Sequence, residues 1–232
     1  MTYDLFPRSL TYALAWFQGT AALSEQAQIT HTQCMLEELS PWVIAIGASG
    51  AEGLDDLRSL LAEWQEINAI VMIVLHRPWE KDTHLRQILQ RSTHMPVQIA
   101  DQGQQLRPGC IYIGEPSRHL CLLSDSISIL ISDPKRAHRN RTVDLLFNSL
   151  VVLGGQRTIG IVLSGSLDDG SRGLAEIHDA GGYTMVLRRE GQRRPGMPEN
   201  ARAYDGPVDV MGDVSAIAKA VKGLLTSAPR SS

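Results

Sequence analysis

A serine, a histidine and an aspartate each follow one of the three most apolar segments of this sequence. Ser49 follows the run V-I-A-I-G, His76 directly follows A-I-V-M-I-V-L, and Asp169 lies in the loop after T-I-G-I-V-L. A serine hydroxyl becomes a strong nucleophile when an imidazole takes its proton and a carboxylate orients that imidazole. The three residue types therefore predict nucleophilic catalysis, with Ser49 as the nucleophile, His76 as the base and Asp169 as the orienting acid.

Small residues surround Ser49 in the sequence I-G-A-S-G-A. They suit a sharp turn from a strand into a helix, because the backbone can bend tightly only where the neighbouring side chains leave room. The N-terminus of the helix that follows carries unpaired N–H groups and a partial positive charge, which stabilise a developing oxyanion. Gly50 and Ala51 are the residues expected to supply these N–H groups.

Each of the three residues also has a purely structural interpretation. Ser49 could cap the helix that begins near Ala51, and a lone histidine at the end of a strand is usually a structural hydrogen-bonding group. Asp168 or Asp169 could cap the helix that begins after Gly170. The strict G-x-S-x-G elbow is missing, and the order Ser, His, Asp differs from the order in α/β-hydrolases. The joint placement of the three residues favours catalysis over these alternatives.

Strand and helix patterns alternate from Trp42 onward and predict the elements that position these residues. The predicted strands cover 43–47, 69–75, 97–100, 111–113, 158–163 and 183–187, a hairpin pairs 120–123 with 127–131, and the predicted helices cover 54–64, 82–91, 142–153, 171–180 and 214–225. Continuous apolar strands separated by amphipathic helices are typical of a parallel sheet covered on both faces. We therefore predict a doubly wound α/β fold with a mostly parallel sheet, helices on both faces and a peripheral β-hairpin.

The predicted fold brings the three candidate residues to one place. Ligands of open α/β sheets bind beyond the carboxyl ends of the strands, and Ser49, His76 and Asp169 all stand at those ends. The topology alone therefore predicts that the nucleophile, the base and the acid share one rim of the sheet.

Length and composition exclude several classes of function. The chain has 232 residues, a formal net charge of −3 and only 5% aromatic residues, which argue against nucleic-acid binding. No apolar run reaches the roughly 18 residues of a membrane span. The cysteines at 34, 110 and 121 lack C-x-x-C spacing, and the histidines lack the spacing of metal ligands. We expect a cytoplasmic protein without a metal, a cofactor, a nucleic-acid partner or membrane insertion.

Residues 1–40 differ from the rest of the chain because they contain no strand-like run, and Pro41 marks the boundary. We predict an N-terminal extension over 1–40, a catalytic domain over 41–226 and a flexible tail over 227–232. The apolar stretch from Leu10 to Phe17 must bury itself, since it would otherwise form a sizeable exposed patch. It can pack on the flank of the domain, on a second copy of the chain to form a homodimer, or over the rim of the sheet as a lid, and we favour the first two.

Short motifs around the three candidate residues occur in one known family in the same order. The chain has I-G-A-S-G-A-E at 46–52 for the family's I-G-A-S-T-G-G, L-H-R-P at 75–78 for Q-H-M-P, and L-S-G-S-L-D-D-G at 163–170 for L-T-G-M-G-x-D-G. The segments T-V-D-L-L-F and G-M-P also match. Over roughly 42–226 the chain resembles the catalytic domain of the chemotaxis protein-glutamate methylesterases (CheB-type).

This resemblance implies a serine hydrolase in which Ser49, His76 and Asp169 form the catalytic triad. It places Gly50, Ala51 and Ser166 around the oxyanion or the substrate. The implied reaction removes the γ-methyl ester from a glutamate side chain of a chemoreceptor, which releases methanol. A methylated chemoreceptor, or another acidic helical protein, is then the expected partner, and the basic runs at 135–141 and 188–194 are either solvated loops or a rim that attracts it.

Several positions depart from the family pattern. Gly50 replaces a threonine, Ala51 and Glu52 replace two glycines, and Arg141 replaces a proline. Residues 1–40 are too short for the family's receiver domain, so we expect an open site that does not depend on phosphorylation. Two alternatives stay open: an inactive methylesterase-like scaffold that binds a signalling partner, and a hydrolase or deamidase for another side-chain ester or amide.

Overall fold

The computed structural model describes residues 40–77, 84–135, 138, 140–152, 156–165, 168–188, 196–204 and 206–226. Of the extension predicted over 1–40 only Ser40 is described, and the predicted tail over 227–232 lies outside the described residues. The predicted division into domains therefore stays a prediction.

Strands and helices alternate along the described chain. The strands are β1 (Trp42–Ser49), β2 (Ala69–His76), β3 (Val97–Ile99), β4 (Ile111–Ile113), β5 (Arg118–Leu123), β6 (Ile127–Ser132), β7 (Thr158–Val162), β8 (Tyr183–Leu187) and β9 (Val210–Gly212). The helices are α1 (Gly50–Glu63), α2 (Leu85–Gln90), α3 (Thr142–Val151), α4 (Ser171–Asp179), α5 (Met197–Ala203) and α6 (Val214–Thr226).

One parallel sheet dominates the fold. Its seven strands lie in the order β3-β4-β2-β1-β7-β8-β9, and β5 pairs with β6 in a separate antiparallel hairpin. One buried cluster packs α1, α2 and α6 against one face of the sheet, and a second packs α3, α4, α5 and the hairpin against the other. The predicted doubly wound α/β fold with a peripheral hairpin is confirmed. No helix in the described ranges is both long and apolar enough to cross a membrane.

The central strand β1 is buried along its whole length. Ile44 and Ile46 belong to the cluster on the α1 face, whereas Val43 and Ala45 belong to the cluster on the α3 face. A strand covered on both sides needs apolar residues at every position, because successive side chains point to opposite faces. Burial on both faces therefore explains the unbroken apolar run V-I-A-I-G in the sequence.

Two elements and several boundaries differ from the prediction. Helix α5 and strand β9 were not predicted, because M-P-E-N-A-R-A has no regular apolar spacing and V-M-G has no apolar run of strand length. Strand β1 continues through Ser49 and β2 through His76, so both residues belong to strands and not to the loops that follow. Helix α2 is shorter than the predicted 82–91, of which 82 and 83 lie outside the described residues.

Candidate active site

Ser49 and His76 stand side by side at the carboxyl ends of the two central strands. They are register partners in the parallel β1–β2 pair, so their side chains point to the same face of the sheet. That face is the one on which Val43 and Ala45 pack against the α3 layer. Within the described residues no hydrogen bond joins the two side chains, an arrangement common in catalytic pairs without a bound substrate.

The backbone around Ser49 turns directly from strand β1 into helix α1. Ser49 is the N-cap residue of α1, yet its side chain makes no capping hydrogen bond. Gly50 takes a positive φ of 70°, where a side chain would strain the backbone although nothing lies within 4 Å of an added Cβ. Ser49 therefore occupies the cap position of α1 without using its hydroxyl as the cap.

His76 is paired with Asp169 across the rim of the sheet. The His76 Nε2 and Asp169 Oδ2 atoms are 2.5 Å apart, and the Asp169 side chain is fully buried. With Nε2 directed at the carboxylate, the imidazole keeps Nδ1 for a second partner. The structure therefore brings together the base and the acid that the sequence predicted.

The carboxylate of Asp169 is held by the N-terminus of helix α3. The backbone N–H of Val143 donates to Oδ2 and that of Asp144 donates to Oδ1, each over 2.8 Å. Helix N-terminal amides lack intrahelical partners, so the carboxylate satisfies two of them and is held in position by both. The cap of Asp169's own helix α4 is Gly170, which excludes the interpretation of Asp169 as a cap of that helix.

Thr142 is a fourth member of this arrangement that the sequence analysis did not identify. Its hydroxyl donates to Asp169 Oδ2 over 3.3 Å and lies 3.2 Å from His76 Nε2. No local pattern in the T-V-D-L-L-F segment reveals this contact, because it depends on how closely α3 approaches the loop that carries Asp169. The segment contributed to the family resemblance only, and none of its residues had a predicted role.

Two glycines allow helix α3 to approach the site. A Cβ on Gly47 would collide with the side chain of Val143, and a Cβ on Gly170 would lie 2.7 Å from Val143 Cγ1. Gly170 also has a positive φ of 93°. The absence of side chains at both positions lets Val143 sit between β1 and the loop before α4, where its N–H reaches Asp169.

Asp144, in the first turn of α3, makes a second contact between α3 and the chain around Asp169. Its Oδ1 accepts hydrogen bonds from the N–H groups of Gly170 and Gly173, and its Oδ2 lies 3.1 Å from Arg141 Nη1. Burial raises the pKa of Asp144, and the Gly173 N–H works against that rise. The pairing with Asp144 in turn raises the pKa of Arg141. The carboxylate of Asp169 thus binds the N-terminus of α3, and the carboxylate of Asp144 binds the N-terminus of α4.

The loop after β7 packs tightly against Ser49. The Ser49 N–H donates to the Ser164 carbonyl over 3.0 Å, and Ser164 N–H donates to the buried carboxylate of Asp56 over 3.2 Å. A Cβ on Gly165 would lie 2.5 Å from both Ser49 Cβ and Met197 Sδ. The glycine therefore fixes how closely this loop approaches the candidate nucleophile.

A cleft of about 340 Å³ opens over Ser49 and His76. Of the predicted oxyanion residues, Gly50 lines this cleft and Ala51 follows it in the first turn of α1, whereas Ser166 lies outside the described residues. Most of the basic run at 188–194 also lies outside them.

The lining of the cleft also includes charged and polar groups. They are contributed by the end of β2, the turn before β5, the β5–β6 hairpin and the loop before α3: Arg77, Glu115, Arg118, His119, Asp133 and Asn140. His119 forms a second histidine–aspartate pair with Asp133 over 3.2 Å, which the sequence analysis missed because 14 residues separate the two. No group of three or more His, Cys, Asp or Glu side chains in the described ranges could hold a metal ion.

The family model for the CheB methylesterase matches residues 44–221 of this chain. The chain belongs to the CheB methylesterase family. The match runs from the third residue of β1 into α6 and includes the three residues predicted from the sequence. Family membership was the central expectation of the sequence analysis, and it is confirmed.

Relatives in this family carry the name protein-glutamate methylesterase/protein-glutamine glutaminase. The chain is 31% identical to that of Yersinia pestis bv. Antiqua (strain Antiqua) over 191 residues, covering 81% of this chain and 54% of the relative. It is 32% identical to that of Chromobacterium violaceum over 172 residues, covering 73% and 48%. The chain thus spans about half the length of the curated relatives it matches.

A solved structure supports the fold. The crystal structure of the Thermotoga maritima CheB methylesterase catalytic domain superposes with a TM-score of 0.70 at 22% sequence identity. The superposition covers 80% of this chain and 100% of that one.

Proposed function

We propose that this protein is a serine esterase that removes γ-methyl esters from glutamate side chains of a chemoreceptor. One observation carries the proposal: His76 is paired with a buried Asp169 while it stands in register beside Ser49. The names of the relatives point to the same reaction.

The first half of the proposed reaction forms an acyl-enzyme. Ser49 Oγ attacks the ester carbonyl carbon while its proton passes to Nδ1 of His76. Asp169, which accepts the Nε2 hydrogen, fixes the tautomer and stabilises the imidazolium. The tetrahedral intermediate carries its negative charge beside the N-terminus of α1, where the N–H groups of Gly50 and Ala51 are the proposed donors.

Collapse of this intermediate breaks the bond to the methoxy oxygen. The proton on His76 passes to that oxygen, and methanol leaves. A water molecule then attacks the acyl-enzyme, with His76 again taking a proton, and the second collapse releases the glutamate carboxylate and restores the Ser49 hydroxyl.

Methanol release from a methylated chemoreceptor tests the proposal. We expect the wild-type chain to release methanol, and Ser49→Ala to reduce the rate to background. Binding of the receptor without turnover by the wild-type chain would instead support the inactive scaffold.

A second candidate reaction is deamidation of a glutamine side chain, which the names of the relatives include. The same steps apply with ammonia in place of methanol as the leaving group. Ammonia release from a receptor that carries glutamine at the modified positions measures this activity, and it too must be lost in Ser49→Ala.

A further inference from the structure

Helix α1 buries a carboxylate among the residues that face the core. Asp56 is only 3% exposed, and the other buried residues of this helix are Gly53, Leu57, Leu60 and Leu61. Removing a carboxylate from water costs free energy, whereas an apolar side chain would fill the same space without that cost. The packing of α1 therefore gives no reason for an aspartate at this position.

The Asp56 carboxylate binds the loop that also binds the backbone of the proposed nucleophile. The N–H of Ser164 donates to Asp56 Oδ2 over 3.2 Å, and the carbonyl of Ser164 accepts from the N–H of Ser49 over 3.0 Å. Both backbone polar groups of Ser164 are thus fixed, one by α1 and the other by the end of β1. Asp56 and Ser49 are joined through this one residue.

Close packing leaves this loop little room to move. A Cβ on Gly53 would lie 2.6 Å from the Ser164 carbonyl oxygen, and a Cβ on Gly165 would lie 2.5 Å from Ser49 Cβ. The Gly165 carbonyl also accepts from the N–H of Met197 over 2.8 Å. Densely packed interiors transmit a displacement instead of absorbing it. A shift of Ser164 against α1 would therefore move the backbone of Ser49.

The same link bears on the proposed oxyanion donors. Helix α1 begins at Gly50, directly after Ser49, and Asp56 lies in its second turn. A contact from this turn to the loop after β7 fixes the N-terminus of the helix relative to the nucleophile. Catalysis is sensitive to such positions, because a misplacement of about 1 Å can cost about 10²-fold in rate.

We propose that Asp56 is a positioning residue of the esterase, which holds Ser164 and through it sets Ser49 and the N-terminus of α1. The inference rests on the proposed function, because it gives Asp56 a part in the same hydrolysis. It requires a hydrogen-bond acceptor at position 56 for fast turnover, and not merely a side chain that fills the space.

Two substitutions separate the acceptor from the packing. Asp56→Leu keeps the branched shape without an acceptor and should lower kcat for methanol release by about 10²-fold with little change in KM. Asp56→Asn keeps an acceptor oxygen for the Ser164 N–H and should recover most of that loss. Asp55→Leu is the matched control, because the Asp55 side chain is 69% exposed, and it should leave kcat unchanged.

Amide hydrogen exchange, followed by NMR, tests the positioning without turnover. In Asp56→Leu the N–H groups of Ser49 and Ser164 should exchange about 10-fold faster relative to that of Ile46 in the same sheet, the effect of losing one hydrogen bond. Asp56→Asn should keep the wild-type ratio. A merely structural role would raise exchange at all three amides alike.

Several results would overturn the proposal: a wild-type kcat in Asp56→Leu, an equal loss in Asp56→Asn or Asp55→Leu, or an unchanged exchange ratio. If Asp56→Leu does not fold, Asp56→Ala replaces it in both measurements with the same expectations. If the wild-type chain releases no methanol while exchange rises selectively at Ser49 and Ser164, the esterase proposal fails and the link from Asp56 to Ser49 stands.

Discussion

At the scale of single residues, two neighbouring aspartates have opposite environments. The Asp169 side chain is fully buried and accepts hydrogen bonds from two backbone N–H groups and from His76. The Asp168 side chain is 62% exposed and lies 3.5 Å from Arg141. Substituting each aspartate by asparagine therefore makes the same chemical change at two positions with different surroundings.

We predict that Asp169→Asn lowers kcat by up to about 10⁴-fold, because an amide no longer holds the imidazole in the required tautomer. The variant should also lose about 1–3 kcal/mol of unfolding free energy, since its amide nitrogen cannot accept from the α3 amides. Asp168→Asn should change both quantities far less. Methanol release and urea unfolding measure these effects, and equal losses of kcat would mean that the acid is wrongly assigned.

A second prediction at the scale of residues concerns Gly165. Because an added Cβ would collide with Ser49 and Met197, Gly165→Ala should displace the nucleophile and lower kcat by about 10²-fold, the cost of a misplacement of about 1 Å.

Gly223→Ala is the control for that variant, since nothing lies within 4 Å of an added Cβ in α6. It should leave kcat unchanged and stabilise the helix by about 0.5–1 kcal/mol. If Gly165→Ala retained the wild-type kcat, the tight packing against Ser49 would have no catalytic role.

At the scale of elements, helices α3 and α4 hold each other through their N-termini. Asp169, before α4, accepts from the first amides of α3, and Asp144, in the first turn of α3, accepts from Gly170 and Gly173. This reciprocal pair of contacts fixes the acid relative to the sheet. Asp144 is thus expected to act on catalysis through the position of Asp169.

Substitutions at Asp144 test this contact. Asp144→Ala should lower the unfolding free energy by about 2–5 kcal/mol, because it leaves two buried N–H groups without an acceptor. Asp144→Asn keeps an acceptor oxygen for both groups and should recover most of that loss together with kcat. Chemical denaturation measures the unfolding free energy, and methanol release measures kcat. If Asp144→Asn lost as much of both as Asp144→Ala, the charge of Asp144 would matter and not its role as a hydrogen-bond acceptor.

The raised pKa of Asp144 has a consequence for stability. In the folded state burial raises this pKa above its unfolded value, so the folded state binds the proton more readily between the two values. Stability contributed by this group is therefore lost as the pH rises through that window. We predict that the unfolding free energy of Asp144→Asn, relative to that of the wild type, increases as the pH rises through the mildly acidic range. A relative decrease would contradict a raised pKa of Asp144.

The sequence predicted the parts of the fold that depend on long apolar runs. The central strands and α3 appear where periodicity placed them, because elements buried on one or both faces need regular apolar spacing. The contacts of Thr142 and Asp144 were not predictable in the same way. They depend on the close approach of α3, which Gly47 and Gly170 permit and which no local pattern reveals.

At the scale of the whole molecule, all residues with a predicted catalytic role lie outside residues 1–40. A chain beginning at Ser40 keeps every described residue that hydrogen-bonds to His76 or Asp169. We predict that this chain hydrolyses methyl esters at the rate of the full chain. Methanol release measures the two rates, and light scattering measures the oligomeric state of both chains. A sharp rise in rate at an unchanged oligomeric state would instead identify residues 1–40 as a lid.

The most direct test of the central claim is covalent labelling by a fluorophosphonate, which reacts with an activated serine. We predict a single adduct that peptide mass spectrometry assigns to Ser49, and a labelling rate that falls by about 10²-fold or more in His76→Ala, the contribution of a general base. A wild-type chain that remains unlabelled at Ser49, or that labels equally fast without His76, would contradict the claim that these residues form a catalytic unit.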